Sequence, residues 1–541
     1  MIQASVAHHG KANPLFLALL GVGTLAVLLL LWLPWKGAIP QDSDTAATTR
    51  PLMMLVAAGL RTPVELIIAD YEKETGGQVQ VQYGGSNLLL NQLKIHKFDQ
   101  PDLYLAAETF YTTQAVVDGL AAEVIPLARQ EPVIAFRRGA SIQASGWAEL
   151  LQQDLRWSLA DPEQAAIGRA VRTELDSLPA SRSEFSSLWK QLEAQTTRRG
   201  VFKPTVNEVA NDIKIGAVDL GIIWNSTVAS PEYRKELQAI RFVDLLETEG
   251  RTRIGDRVSV AVLTGSAQPT AALRLARYLG ARDRGLQVFQ AFGMIPEDGD
   301  IWSPRPEITF YCGAVNRRAI EPVIEAFQQR EGCQINTVYD GCGILTGRMG
   351  AVPEQNTRAG FPDVYMACDR YYLDTVSDWF QEDFNVSQTE IVLVTPNNST
   401  KVQALADILK PGVRVSLGEP DKCTIGALTR RFLHDAGLYD ALKAKQQMPG
   451  EVVVEKSSSA LILPDVLTGH VDVALAYRSD LLGHENEVRI LPLMLPGTRA
   501  TQPLSIARSS PHKQLIRRLM ASVKRSRAAF ESAGFQFLLT E

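Results

Sequence analysis

Two different hydrophobic patterns divide the chain. From Pro14 to Trp35 the run PLFLALLGVGTLAVLLLLWLPW stays uncharged for about 20 residues, enough helix to cross a bilayer core. From Leu52 onward the apolar positions come in short, patterned groups. LMMLVAAG predicts a buried strand, and TPVELIIADYEKETG predicts an amphipathic helix with Pro63 in its first turn and Gly76 at its end. QVQVQY then alternates as a strand, NLLLNQL begins a helix, and DLYLAA reads as a third strand. A repeated strand-helix order predicts an α/β fold with a mostly parallel sheet. Ligands of such sheets sit beyond the carboxyl ends of the strands, where AAGLRT and YGGSN fall.

The same pattern occurs twice. Ala57–Leu93 aligns without a gap to Gly313–Met349, matching at Arg61/Arg317, Glu65/Glu321, Gly76/Gly332, Tyr83/Tyr339 and Gly85/Gly341. Further blocks follow in the same order: PDLYLAAE from Pro101 with PDVYMACD from Pro362, LADPEQAAIGR from Leu159 with LGEPDKCTIGA from Leu417, and GAVDLGIIW from Gly216 with GHVDVALAY from Gly469. Each copy spans about 235 to 250 residues, more than a solenoid repeat and enough to fold alone. The expected divisions are an anchor at 1–36, a polar linker at 37–51, and two solute-binding domains at 52–303 and 306–541. The prolines of IWSPRPE separate the copies.

Composition adds three constraints. A length of 541 residues requires more than one hydrophobic core. A net charge of -5 with mixed signs leaves no basic footprint for nucleic acid. The apolar run is longer than a signal-peptide core, and Trp32, Pro34 and Trp35 resemble an interfacial belt rather than a cleavage site, so an uncleaved anchor is expected. Lys11 before the run, with Asp42 and Asp44 after Lys36, places the remainder outside the cytoplasm. With no cysteine before Cys312, a lipid-modified amino-terminal cysteine is excluded.

The ordered motifs resemble the periplasmic molybdate/tungstate-binding family of the type II solute-binding fold, in tandem. They are a first strand ending in small residues, a Gly/Ser turn after strand two, PDLY.AA, ADPE....G and a late G..D.GI.W/Y. The resemblance implies two tandem bilobal type II periplasmic-binding-protein-like units after one transmembrane helix, with lobes closing on a small anionic solute and no catalysis. An ABC-type permease is the implied partner, for uptake or sensing. Helix amino ends can hold a tetrahedral oxyanion without lysine or arginine, because their N–H groups are unpaired and carry partial positive charge.

Carried over by position, the first site comprises Ala58, Gly59, Gly85, Ser86, Asn87, Ala166, Ile167, Val206, Asn207 and Trp224. The second comprises Ala314, Val315, Gly341, Cys342, Gly343, Thr424, Ile425, Ser458, Ser459 and Tyr477. The family's first-loop serine is replaced by Gly59 and Val315, which removes a hydroxyl donor from each site. Its second-loop serine is kept as Ser86 but becomes Cys342. The late tyrosine is kept as Tyr477 and becomes Trp224 in copy one.

All five cysteines, Cys312, Cys333, Cys342, Cys368 and Cys423, fall in the second copy. Three readings stay open: small buried hydrophobes, a soft metal on Cys312, Cys342 and Cys423, or a reversible Cys312–Cys342 disulfide. The last two define the alternative function, a metal-binding or redox protein. No cofactor is required beyond a bound oxyanion or such a metal. Asp102 and Asp363 read as braces at a strand end rather than as acids. The histidines are scattered, and the basic run His512–Arg527 reads as a solvated helix face, with anionic lipid as the alternative. There is no Gly-x-Ser-x-Gly, Walker or His-Glu-x-x-His motif.

Overall fold

The computed structural model describes residues 50–95, 101–144, 146–177, 188–245, 255–352 and 360–540. The expected membrane span, Pro14–Trp35, lies outside them. Among the described residues no helix is long and apolar enough to cross a membrane. The chain divides into two units, Met1–Pro51 and Leu52–Glu541, and the second holds both copies.

In copy one, strands β1 (Leu52–Ala57), β2 (Val79–Gly84) and β3 (Leu103–Ala106) are parallel with β1 central. Strands β4 (Ala121–Gln130), β10 (Asp256–Leu263) and β11 (Ile295–Pro296) extend this sheet antiparallel, in the order β11-β4-β10-β3-β1-β2. The other lobe has β6 (Trp157–Ala160) parallel to β7 (Val201–Lys203) and β8 (Leu220–Trp224), with β5 (Pro132–Arg137) and β9 (Leu237–Arg241) antiparallel beyond them. The expected mostly parallel sheet is therefore corrected to a mixed one. Strands that carry the chain between lobes re-enter each sheet in the reverse direction.

Copy two repeats this plan with β12 (Glu307–Gly313) between β13 (Gln334–Asp340) and β14 (Val364–Met366) in one lobe. Its other lobe sets β16 (Val415–Gly418) between β17 (Val453–Lys456) and β18 (Val473–Tyr477). One strand of 17 residues, β15 (Phe380–Pro396), serves both lobes. Its first part pairs with β20 (Arg499–Ala507) and its last part with β18 and β19 (Val488–Pro492). In copy one the matching ladder breaks at Glu131, between β4 and β5, beside Pro132. Proline has no N–H to continue a ladder.

Side-chain braces repeat as faithfully as the strands. Asp102 Oδ2 accepts from Met53 N at 2.9 Å and its Oδ1 from Ser266 Oγ at 2.6 Å. Asp363 does the same with Thr309 N at 2.9 Å and Ser510 Oγ at 2.8 Å. Both carboxylates fasten the first strand to a distant loop, as the bracing reading expects. In the second lobes, Asp219 holds Arg156 N and Asp472 holds Arg414 N, at 2.8 and 2.9 Å. The helices Arg61–Thr75 and Arg317–Glu331 both end on a left-handed glycine, Gly76 at φ 72° and Gly332 at φ 63°. The matched glycines are needed there because a side chain resists that conformation.

The copies dock through buried ion pairs. Glu331, 1% exposed, accepts from Arg518 Nε at 2.6 Å in its own copy and from Arg277 Nη1 of copy one at 3.1 Å. Arg330 makes a bidentate pair with Glu123 at 2.8 Å. Asp300 caps the helix Lys513–Lys524 by accepting from Gln514 N at 2.8 Å and Leu515 N at 2.9 Å.

Candidate functional site

In copy one, four chain segments enter helices around a single point between the lobes. The 3-10 turn Ala58–Leu60 and helix Ser86–Ile95 come from the first lobe. Helices Ala166–Asp176 and Val206–Ile215 come from the second. The cavity at this point has a volume of about 20 Å³, and its walls include Ala58, Gly59, Gly85, Ser86, Ala166, Ile167, Val206 and Trp224. Sequence reasoning missed Ala57, Gly84, Ala107, Ala165 and Thr205, which complete the lining. No lining side chain carries a charge, so any polarity comes from backbone groups, the hydroxyls of Ser86 and Thr205 and the indole N–H of Trp224. The Thr205 hydroxyl is committed to capping its own helix by accepting from Glu208 N at 3.3 Å. A buried hydroxyl that the motifs do not mark, Thr227 Oγ1, has no hydrogen-bond partner and stands 3.8 Å from where a Gly59 Cβ would sit.

Asn87 and Asn207 do not line the cavity; they fasten the lobes. Asn207 Nδ2 donates to Ala58 O at 2.9 Å, and Asn87 Nδ2 donates to Glu163 O. Arg169 reinforces this closure through buried Glu108, with its guanidinium 3.9 Å over the Phe110 ring. The lobes approach so closely at Gly85 that an added Cβ would lie 2.4 Å from Gln164 O and 3.1 Å from Pro204 O. Copy one is thus closed.

Copy two closes at the same place. An added Cβ on Gly341 would lie 2.4 Å from Lys422 O and 2.7 Å from Ser457 O, and one on Gly343 2.4 Å from Asp421 O. Behind them lies sulfur in place of the Ser86 hydroxyl. In copy one Ala107 N donates to Ser86 Oγ at 3.4 Å; in copy two Cys368 N donates to Cys342 Sγ at 3.0 Å. Tyr104 OH donates to Ser86 O at 2.7 Å, whereas its counterpart Tyr365 OH is buried without a well-formed bond. Thr424 Oγ1 and Tyr477 OH are likewise buried and unpartnered. Ile425 packs behind Thr424 at 0% exposure, Val315 closes the first loop at 7%, and Ala314 opens its 3-10 turn. Ser458 is the N-cap of the turn Ser459–Leu461. Ser459 bonds Asp480, whose carboxyl burial pushes up to about 7.

The thiols differ in character. Burial pushes the Cys342 thiol up, but the adjoining Cys368 thiol and backbone N–H, with the nearby Thr424 and Tyr365 hydroxyls, outweigh it and hold Cys342 below the usual thiol range. Cys368 is driven well up, first by its bond to Cys342 and then by burial. Burial lifts Cys312 well above the thiol range and Cys423 to about 12.

Two cysteine expectations are corrected. All five cysteines are free, and Cys342 Sγ lies 2.9 Å from Cys368 Sγ rather than bonded to Cys312. Among the described residues no group of three His, Cys, Asp or Glu side chains is arranged to hold a metal ion. Cys312, Cys342 and Cys423 fail as a ligand set because their sulfurs face different groups. Cys423 Sγ is turned to Glu419 O at 3.5 Å and Lys456 O at 3.4 Å, and Cys312 Sγ to Gly313 O at 3.6 Å.

The sequence profile of the bacterial extracellular solute-binding protein family matches residues 52–295 and again residues 308–536. The chain belongs to this family. It is a tandem duplication within it, and each relative matches about one copy. A binding protein of Haemophilus influenzae is 26% identical over 245 residues, covering 45% of this chain and 91% of its own. A molybdate-binding protein of Mycobacterium tuberculosis is 22% identical over 237 residues, covering 42% of this chain and 84% of its own. Among solved structures, the periplasmic molybdate-binding protein of Azotobacter vinelandii covers 45% of this chain and 98% of its own at 15% identity and a TM-score of 0.36. Solute-binding proteins of this family work outside the cytoplasm and bind rather than transform their ligands.

Proposed function

We propose that the protein is a membrane-anchored, extracytoplasmic receptor for small oxyanions of the molybdate, tungstate or sulfate kind, serving an ABC-type permease or a sensing pathway. The anchor is the Pro14–Trp35 segment. The observation that carries the reading is the convergence of helix amino ends from both lobes of copy one on an uncharged cavity. Such a point attracts anions through unpaired N–H groups, and nothing in its lining repels them. The ligand enters when the lobes part and is enclosed when they close. A Bacillus subtilis relative, 24% identical over 236 residues, is an ABC transporter substrate-binding lipoprotein, which supports the permease as partner.

Calorimetric titration of the purified protein with molybdate, tungstate, sulfate and phosphate tests this reading. Saturable heat with at least one of them is expected, and it should vanish when Ser86→Asp puts a negative charge in the cavity wall. Heat with none of the four anions, and no shift in melting temperature, would overturn the proposal.

A further inference from the structure

The second cleft contains chemistry that anion recognition does not use. Cys342 and Cys368 are 0% and 5% exposed, and their sulfurs are 2.9 Å apart. Both sit over Gly313, where any Cβ would fall 2.1 Å from Cys368 Sγ and 2.8 Å from Cys342 Sγ, so only glycine leaves them room. Cys368 N donates to Cys342 Sγ at 3.0 Å. The hydroxyls of Thr424, Tyr365 and Tyr477, each no more than 1% exposed, are buried in this cleft without partners.

We infer that Cys342 and Cys368 form a redox-active dithiol, a thiol–disulfide exchange site whose substrate class is a disulfide and whose oxidised form is a Cys342–Cys368 bond. An inert buried thiol needs no donors around it, whereas a nucleophilic one needs donors that stabilise the thiolate. Cys342 has them at hand: the backbone N–H of Cys368 donates to its sulfur, the Cys368 sulfur lies 2.9 Å away, and the otherwise unpartnered Thr424 and Tyr365 hydroxyls lie beside it. Cys368 shares only the Thr424 hydroxyl and keeps its proton, which makes it the resolving partner.

The exchange balances without a further reactant. The Cys342 thiolate attacks one sulfur of the incoming disulfide, forming a mixed disulfide and expelling the other sulfur as a thiolate. That thiolate takes the Cys368 proton. The Cys368 sulfur then attacks Cys342 Sγ and expels the second half of the donor as a thiolate. The pair loses two electrons and one proton, and the donor leaves as two reduced sulfurs. Because Cys342 is fully covered, the donor reaches it only when Lys422 and Ser457 of the opposite lobe lift away from Gly341.

The inference rests on the second cleft alone and stands whether or not copy one binds an oxyanion. The test equilibrates the full-length protein with glutathione buffers of graded reduced-to-oxidised ratio. It then quenches with acid, unfolds the protein in the presence of an alkylating reagent and maps the peptides. Expected is the loss of two alkylatable thiols at oxidising ratios, one cross-linked peptide pair joining Cys342 to Cys368, and recovery of five thiols at reducing ratios. Cys342→Ser should retain four free thiols throughout, Cys368→Ser should trap a Cys342–glutathione mixed disulfide at oxidising ratios, and Cys333→Ser should still form the bond. Five free thiols at every ratio, a bond that includes Cys312 or Cys423, or a bond that no ratio reduces would each overturn it.

Discussion

Replacing Gly85 with alanine places one methyl group between the lobes of copy one. Its Cβ would lie 2.4 Å from Gln164 O, where ordinary contact begins at 3.4 Å, so the lobes must part by roughly 1 Å at this point. The obstacle is backbone of the facing lobe and cannot rotate away as a side chain could. Parting strains the two bonds that close the cleft, Asn207 to Ala58 O and Asn87 to Glu163 O. Each contributes about 0.5–1.5 kcal/mol net, so losing both costs closure about 1–3 kcal/mol. The closed-to-open ratio should then fall between about 5- and 150-fold. Hydrogen exchange at the first turns of helices Ala166–Asp176 and Val206–Ile215 reads this directly. Emission from Trp224, 1% exposed in the cleft, should shift to longer wavelength, with a Trp224→Phe background isolating its signal. Gly347→Ala, where a Cβ meets nothing within 4 Å, is the matched control and should leave both signals unchanged. Unchanged exchange and emission in a folded Gly85→Ala protein would refute the claim that Gly85 sets the approach of the lobes.

Other outcomes follow from the same geometry. Glu331→Gln strands Arg277 and Arg518 in the interface and should cost about 3–5 kcal/mol in thermal or urea unfolding. Burial raises the Glu331 carboxyl, yet Arg518 and Arg277 hold it below its usual range. Its stabilisation is therefore present above the unfolded value of about 4.3 and is lost as pH falls through the lower folded one. Asp480 has the opposite sign. With its folded value pushed up to about 7, the native state binds the extra proton, so stability falls as pH rises from about 4 toward neutrality. Asp480→Asn should flatten that slope in melting temperatures. Gly59→Ser restores the family's hydroxyl but drives a Cβ to 2.7 Å from Val206 Cγ1, costing about 1–3 kcal/mol. Adding Val206→Ala should recover that stability and tighten oxyanion binding in calorimetry.

Much of this fold is legible in the sequence because each repeat matches where a backbone constraint is strict. Gly76 and Gly332 need a left-handed conformation, Asp102 and Asp363 brace the same strand pair, and Gly85 and Gly341 touch carbonyls of the facing lobe. Alternating and apolar runs place β1 to β3, but periodicity carries no strand direction, which is why the antiparallel β4 and β10 escaped it. The positions of Ser86, Trp224, Cys342 and Tyr477 follow from the duplication. Which cysteine faces which does not. Cys342 and Cys368 meet through the pairing of loops 26 residues apart, and Cys423 is turned away to the carbonyls of Glu419 and Lys456. Asn87 and Asn207 are misread for a similar reason: their amides satisfy a carbonyl of the other lobe instead of pointing into the cavity.

The uninterrupted β15 gives the two copies unequal compliance. Copy one bends about a joint at Glu131, where the ladder stops and Pro132 offers no bond to break. Copy two must flex a continuous ribbon of 17 residues whose two ends are stitched to different sheets. Like a hinge riveted to a leaf spring, copy two should open more rarely than copy one, so that the two clefts of a single polypeptide exchange on separate clocks.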